Sequence, residues 1–196
     1  MKKVLLTLTA VAAITFASQA QTEYGKTMIG GGVSFHTQSV KDADNKNNSF
    51  SIMPQVGFFV ADNIAVGTAL GYSWNENENG AGLKNSNNAF SLAPFGRLYQ
   101  GDGPVKFFGQ LSVPMAWGTT KVDGDKTGTT ANYGVALAPG LAYFPTERIG
   151  IELSVRGLYF DSQTTENEAT SAKRTVNTFG LNVNSLAPTL GVQFHF

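Results

Sequence analysis

Cysteine is absent from all 196 residues. That excludes a disulfide framework, a thiolate metal site and a cysteine nucleophile. Histidine is nearly absent too, with His36 and His195 the only two. Charged residues make up only 14% of the chain, and Lys plus Arg equals Asp plus Glu at 14 each, so no basic excess points to nucleic acid. Beyond residue 20 no apolar stretch reaches the roughly 20 residues that a membrane-spanning helix needs. Any passage through a membrane must therefore use strands. What the chain does have is 42% hydrophobic residues together with 22 glycines. Such a composition suits short strands and turns in a single domain.

Residues 1–20 have the three parts of a cleaved export signal: Lys2 and Lys3, the apolar residues 4–16, and the small-x-small site Ser18-Gln19-Ala20. The expected division is a signal peptide over 1–20 and one mature domain over 21–196. No cysteine follows the site, so lipoprotein processing is excluded. Without Lys2 and Lys3 the mature domain carries 12 basic and 14 acidic residues, a net charge of −2.

The mature domain reads as eight segments of period-2 alternation. They lie near residues 28–37, 49–60, 64–74, 89–99, 104–118, 132–144, 149–160 and 186–196. The connections run long, short, long, short, long, short, long. The long ones are polar and rich in Asn, Asp, Lys and Thr; the last spans 161–177. The short ones are tight turns such as Ala61-Asp62-Asn63. A weak repeat, S-I-M-P, S-L-A-P, A-L-A-P and S-L-A-P, puts Pro54, Pro94, Pro139 and Pro188 in the even-numbered strands. Proline removes a ladder donor, so its recurrence at one depth predicts bulges or kinks, with Pro114 a fifth case.

One face of each strand is apolar. The other carries Gly, Ala and Ser with Gln55, Arg97, Lys106, Gln110, Glu152, Arg156, Gln193 and His195. A soluble lipocalin-like barrel would turn the apolar face inward. Charges at mid-strand on the opposite face favour lipid outside and a polar interior. Aromatics sort by depth. Trp74, Trp117, Tyr133 and Tyr159 stand with Phe35, Phe50 and Phe90 at the long-loop ends, and Tyr143 with Phe58, Phe107, Phe194 and Phe196 at the short-turn ends. Ile52, Leu70, Leu92, Val113, Leu137, Leu153 and Leu190 lie between them. Two aromatic girdles about an aliphatic band match the two faces of a bilayer.

The expected fold is all-β: an eight-stranded, antiparallel, up-and-down transmembrane β-barrel with short periplasmic turns and longer extracellular loops. The final strand, L-A-P-T-L-G-V-Q-F-H-F, turns Leu190, Val192, Phe194 and Phe196 outward and ends on an aromatic residue. The chain resembles the small outer-membrane β-barrel family that includes the barrel domain of OmpA, OmpX and OmpW. The stretch F-F-V-A-D-N-I-A-V-G-T-A-L-G-Y over 58–72 resembles a recurring hairpin of that family. The resemblance is one of pattern over the whole mature chain. It implies that Leu190, Val192, Phe194 and Phe196 form the C-terminal assembly signal. It also implies the outer-membrane lipid bilayer, the barrel assembly machinery and periplasmic chaperones as partners, and a monomer integral to the outer membrane with both termini periplasmic.

Arg97, Lys106, Glu152 and Arg156 form the expected charge network of the lumen. One reading is a charged gate; the other is a salt-bridged filling, because buried charges must be paired. Eight strands enclose a space that side chains can fill, which favours the filling. His36 and His195 fall at opposite ends, so no dyad, shared metal site or cofactor is expected. Ser34 and Ser39 near His36 do not assemble a hydrolase triad. The loop sequences D-A-D-N-K-N and V-D-G-D-K-T-G lack calcium-loop spacing with a distal Glu. The function expected is structural or surface-interacting without catalysis. A minor channel for small or apolar solutes is the alternative, and an outer-membrane hydrolase is less favoured.

Overall fold

The computed structural model describes residues 22–40, 45–183 and 189–196. The expected signal peptide and Pro188 lie outside the described residues. Eleven strand segments follow: β1 (Thr27–Val40), β2 (Asn45–Ala61), β3 (Ile64–Glu78), β4 (Lys84–Gln100), β5 (Val105–Ser112), β6 (Met115–Val122), β7 (Asp125–Thr146), β8 (Ile149–Ser154), β9 (Gly157–Asn167), β10 (Lys173–Asn182) and β11 (Thr189–His195). They make eight walls, because β5 with β6, β8 with β9, and β10 with β11 are each one wall in two pieces.

Every pairing is antiparallel. At the short-turn end the ring closes. β1 meets β11 from Met28 opposite His195 to Gly31 opposite Val192, and β11 meets β8 from Phe194 opposite Ile149. Closure leaves no free edge there, which is the condition for strands to cross hydrocarbon. At the other end β10 pairs with β9, and residues 32–40 of β1 pair with β2. Among the described residues β1 pairs with β11 from Met28 to Gly31, and no pairing joins β1 to β10.

The strands run further than hydrophobic alternation foretells. β2 begins at Asn45, β3 reaches Glu78, β4 begins at Lys84 and β9 continues to Asn167. Most of the polar stretch expected as a loop over 161–177 is ladder: Thr164 bonds Thr175 across it at 2.9 Å, and Lys173 pairs with Glu166 at 3.3 Å. Beyond the bilayer both faces of a strand meet water, so period 2 vanishes from the sequence while backbone pairing persists. The eighth wall therefore begins at Lys173 rather than at residue 186.

The prolines have an account in the ladder. Pro94 lies beside the break at Val113-Pro114, where Val113 N–H donates to the Pro94 carbonyl at 3.0 Å. Pro139 lies beside the break between β8 and β9, where Val155 N–H donates to its carbonyl at 3.1 Å. Pro54 pairs with Gly31, whose φ of 138° only glycine adopts readily. A missing donor in one strand is thus matched by irregular backbone in its neighbour. The break at Pro139 is a true bulge. Across β7, Gly140 faces Ser154 but Leu137 faces Leu158, a shift of one residue.

That shift turns the rest of β9 over. Leu158 and Phe160 pair with the outward Leu137 and Val135, so they face out, and Tyr159 faces the lumen beside Ala136. The expected outward girdle position of Tyr159 is corrected on this ground. Trp117, Tyr133 and the mid-band leucines stand outward as expected, with Trp117 Nε1 donating to Tyr133 Oη at 3.1 Å.

Candidate functional site

The inside of the short-turn half is a packed floor. Inward positions of β2, β4, β5 and β7 supply Phe59, Phe95, Tyr99, Phe108 and Phe144, all buried, with Met28 and Ala65. Tyr99 sits centrally, its ring 5.9 Å from Phe59, 5.8 Å from Phe108 and 6.3 Å from Phe144. His195 closes the set, 5.3 Å edge-on to Phe144 and 5.7 Å from Phe59. Small residues opposite make the room. A Cβ on Gly67 would lie 2.6 Å from the Phe95 ring, and one on Gly57 2.8 Å from Met28.

On this floor rests a buried ion pair. Arg97 Nη1 donates to Glu152 Oε1 at 2.6 Å and to Tyr99 Oη at 2.8 Å. Arg97 Nε and Nη2 both donate to Gln110 Oε1, at 2.9 and 2.6 Å. Tyr99 Oη donates to the same Glu152 oxygen at 3.1 Å. The guanidinium lies 4.4 Å from the Phe108 ring centroid, a cation–π contact in a desolvated setting. The two charges cancel, and nearly every donor of Arg97 is used, as buried charges require.

The four expected lumen charges do not form one network. Arg97 and Glu152 meet; Lys106 and Arg156 do not join them. Lys106 lies at the short-turn rim, its Nζ donating to Thr22 Oγ1 at 2.6 Å and Asn63 Oδ1 at 3.0 Å. Arg156 lies higher, bonded to Asp161, with its guanidinium 3.7 Å above the Tyr159 ring. The bulge explains the separation, because it puts Tyr159 and Asp161 on the inner face where Arg156 reaches them. Trp74 and Tyr143 are half-buried in the wall, and Leu190, Val192, Phe194 and Phe196 point outward. Thr27 and Phe196 exchange two backbone bonds of 2.9 Å, tying the last residue to β1.

Beside the ion pair is a cavity of about 160 Å³, lined among others by Gly31, Gly32, Gln55, Glu152, Gly191 and Gln193. Gln55 and Gln193 are both register partners of Gly30, one on each side. Gln55 Nε2 and Gln193 Oε1 are buried without a hydrogen-bond partner. His36 stands on the exposed upper part of β1, far in register from His195. Among the described residues no three His, Cys, Asp or Glu side chains gather as a metal site.

The family model described as the outer membrane protein beta-barrel domain matches residues 5–194. The chain belongs to that family. Among solved structures, this barrel is similar to Neisserial surface protein A at 12% identity and a TM-score of 0.47, with 88% of this chain and 96% of that one covered. It is similar also to a major outer membrane protein from Thermus thermophilus at 10% identity and a TM-score of 0.44, with 89% and 100% covered. No curated protein matches it.

Several residues of this site escape a reading of the sequence. Tyr99 ends a strand whose alternation already places it with Phe95 and Arg97, so parity alone could have found it. That Gln110 and Glu152 converge on Arg97, and Gln193 on Glu152, depends on stagger between walls, which no single strand encodes.

Proposed function

We propose that this barrel is an integral outer-membrane protein with a structural or surface-interaction role and no catalysis. One observation carries the reading: rings and a neutralised ion pair fill the short-turn half, from Phe59 and Phe144 up to Arg97 and Glu152. A lumen so filled holds the wall rigid and leaves no water-filled path for solutes. The far end offers what a surface contact needs, namely long polar hairpins with paired charges such as Lys46–Glu78 and Lys126–Glu168.

In this reading both termini face the periplasm, on the side where Thr27 pairs with Phe196, and the hairpins face outward. The partners are the lipid bilayer and, during biogenesis, the assembly machinery and periplasmic chaperones. The barrel works as a monomer without a cofactor. Refolded protein in a planar bilayer is expected to give no steady conductance; large stable channels would refute the filled floor.

A further inference from the structure

Asn79-Gly80 is the only Asn-Gly pair in the chain. It sits at the tip of the hairpin between β3 and β4, with both residues exposed. An asparagine side chain ahead of glycine is open to attack from within the chain. The next backbone nitrogen can close a five-membered ring onto the side-chain carbon, and glycine has no Cβ to obstruct the approach. The reaction needs an Asn79 side chain free to swing onto the Gly80 nitrogen and a Gly80 N–H free to give up its proton.

The folded tip withholds both. Asn79 Oδ1 accepts from the Ala81 N–H at 3.1 Å and the Leu83 N–H at 3.0 Å, so the side chain is turned forward over the loop as a cap. The Asn79 N–H donates to the Leu83 carbonyl at 3.1 Å, and the Gly82 N–H to the Asn79 carbonyl at 2.8 Å, which fixes the backbone around it. The Gly80 N–H donates to Asn45 Oδ1 at 2.9 Å. That last bond comes from another strand. Asn45 is the first residue of β2, 35 positions from Gly80. Its neighbour Lys46 is in register with Glu78, the residue before Asn79, and pairs with its carboxylate. The β2–β3 ladder, not the tip, therefore sets where Asn45 stands. A succinimide nitrogen carries no hydrogen, so the bond to Asn45 cannot survive ring closure. The ring must form in an opened tip.

We propose that Asn79 is a self-modification site and that Asn45 is its guard. When the tip opens, the Gly80 N–H gives its proton to hydroxide and the nitrogen bonds to Asn79 Cγ. The Cγ–Nδ2 bond breaks, and Nδ2 takes a proton from water and leaves as ammonia. Water then opens the imide at either carbonyl, leaving aspartate or isoaspartate at position 79. Each product adds a negative charge beside Glu78. Isoaspartate also lengthens the backbone by a methylene next to the Glu78–Lys84 register pair, which shifts Gly80 against Asn45. The charge of this outward hairpin thus changes with the age of the protein.

Full-length protein refolded in detergent and held at mildly alkaline pH tests it. Cleavage after Glu78 and Lys84 releases residues 79–84, in which Asn79 holds the only side-chain amide, so mass spectrometry reads the conversion there directly. A zero-time sample sets the background from digestion. The folded chain is expected to convert slowly and the urea-unfolded chain fast. Asn45→Ala should speed the folded reaction about fivefold, the worth of one net hydrogen bond. Asn45→Asp keeps the acceptor and should stay at or below the unmutated rate. Gly80→Ala added to Asn45→Ala hinders the attacking nitrogen and should slow the reaction again. Heat-modifiable migration confirms that each variant is folded. Equal rates in the folded and unfolded chain overturn the guarded site whatever the variants do. An Asn45→Ala rate equal to the unmutated one, or an Asn45→Asp rate as fast as Asn45→Ala, overturns the role of Asn45.

Discussion

Replacing Glu152 by leucine strands Arg97. The guanidinium is buried, and it would keep Tyr99 Oη and Gln110 Oε1 but no negative charge. Removing one partner of a buried pair costs about 3–5 kcal/mol. The neighbouring cavity can admit water to the abandoned charge, which places Glu152→Leu toward the lower end of that range. Arg97→Met leaves Glu152 with only Tyr99 and a long Gln193 contact, and should cost at least as much. The double variant removes both charges and keeps most of the volume, which is often near neutral. Each variant, refolded into lipid vesicles and unfolded in urea, gives one corner of a double-mutant cycle. The double variant is expected to be more stable than either single. If the two single losses simply add, or if Glu152→Leu costs under about 1 kcal/mol as an exposed pair would, the pair does not hold the floor and the reasoning fails.

Three other outcomes are expected. Gly57→Ala presses a methyl on Met28, 2.8 Å away, and should destabilise by about 1–3 kcal/mol as overpacking does; Met28→Ala in the same chain should restore part of the loss in the same urea assay. Hydrogen exchange in micelles should find alternate amides of residues 32–40 exchanging fast, because among the described residues that stretch pairs with β2 alone, while β2 stays protected; uniform protection of β1 would show it paired on both sides. Deleting Phe196 removes two backbone bonds to Thr27 and an outward ring, and should lower the folded, heat-modifiable fraction in cells; normal assembly would discount the C-terminal signal.

The outer surface of this barrel was legible in its sequence because lipid imposes the same demand on every strand. Ile52, Leu70, Leu137 and Leu190 answer one solvent, and period 2 records that answer wherever the strand lies in hydrocarbon. The signal stops where the solvent changes. Lys173 to Asn182 pair with β9 as regularly as any wall, yet they alternate nothing apolar until Phe179 and Leu181, so their strand is hidden among loop residues. It fails also where one residue is inserted. Tyr159 and Phe160 exchange faces because of the bulge at Val155-Arg156, and that bulge is written in Pro139 of the neighbouring strand.

The inner surface obeys a different rule, and that limits how much function a sequence of this kind discloses. Inside, a residue answers to whichever wall lies across the lumen. Arg97 finds Glu152, 55 positions away in sequence, only because the stagger of the closed ring puts both at one height. Gln55 and Gln193 flank Gly30 because β1 is the shared neighbour of β2 and β11. Glycine at that position follows from this arrangement: a Cβ there would strike the Gln193 amide. The triplet Gly30-Gly31-Gly32 stands where the described pairing of β1 with β11 ends and where Gly31 takes the positive φ that lies opposite Pro54.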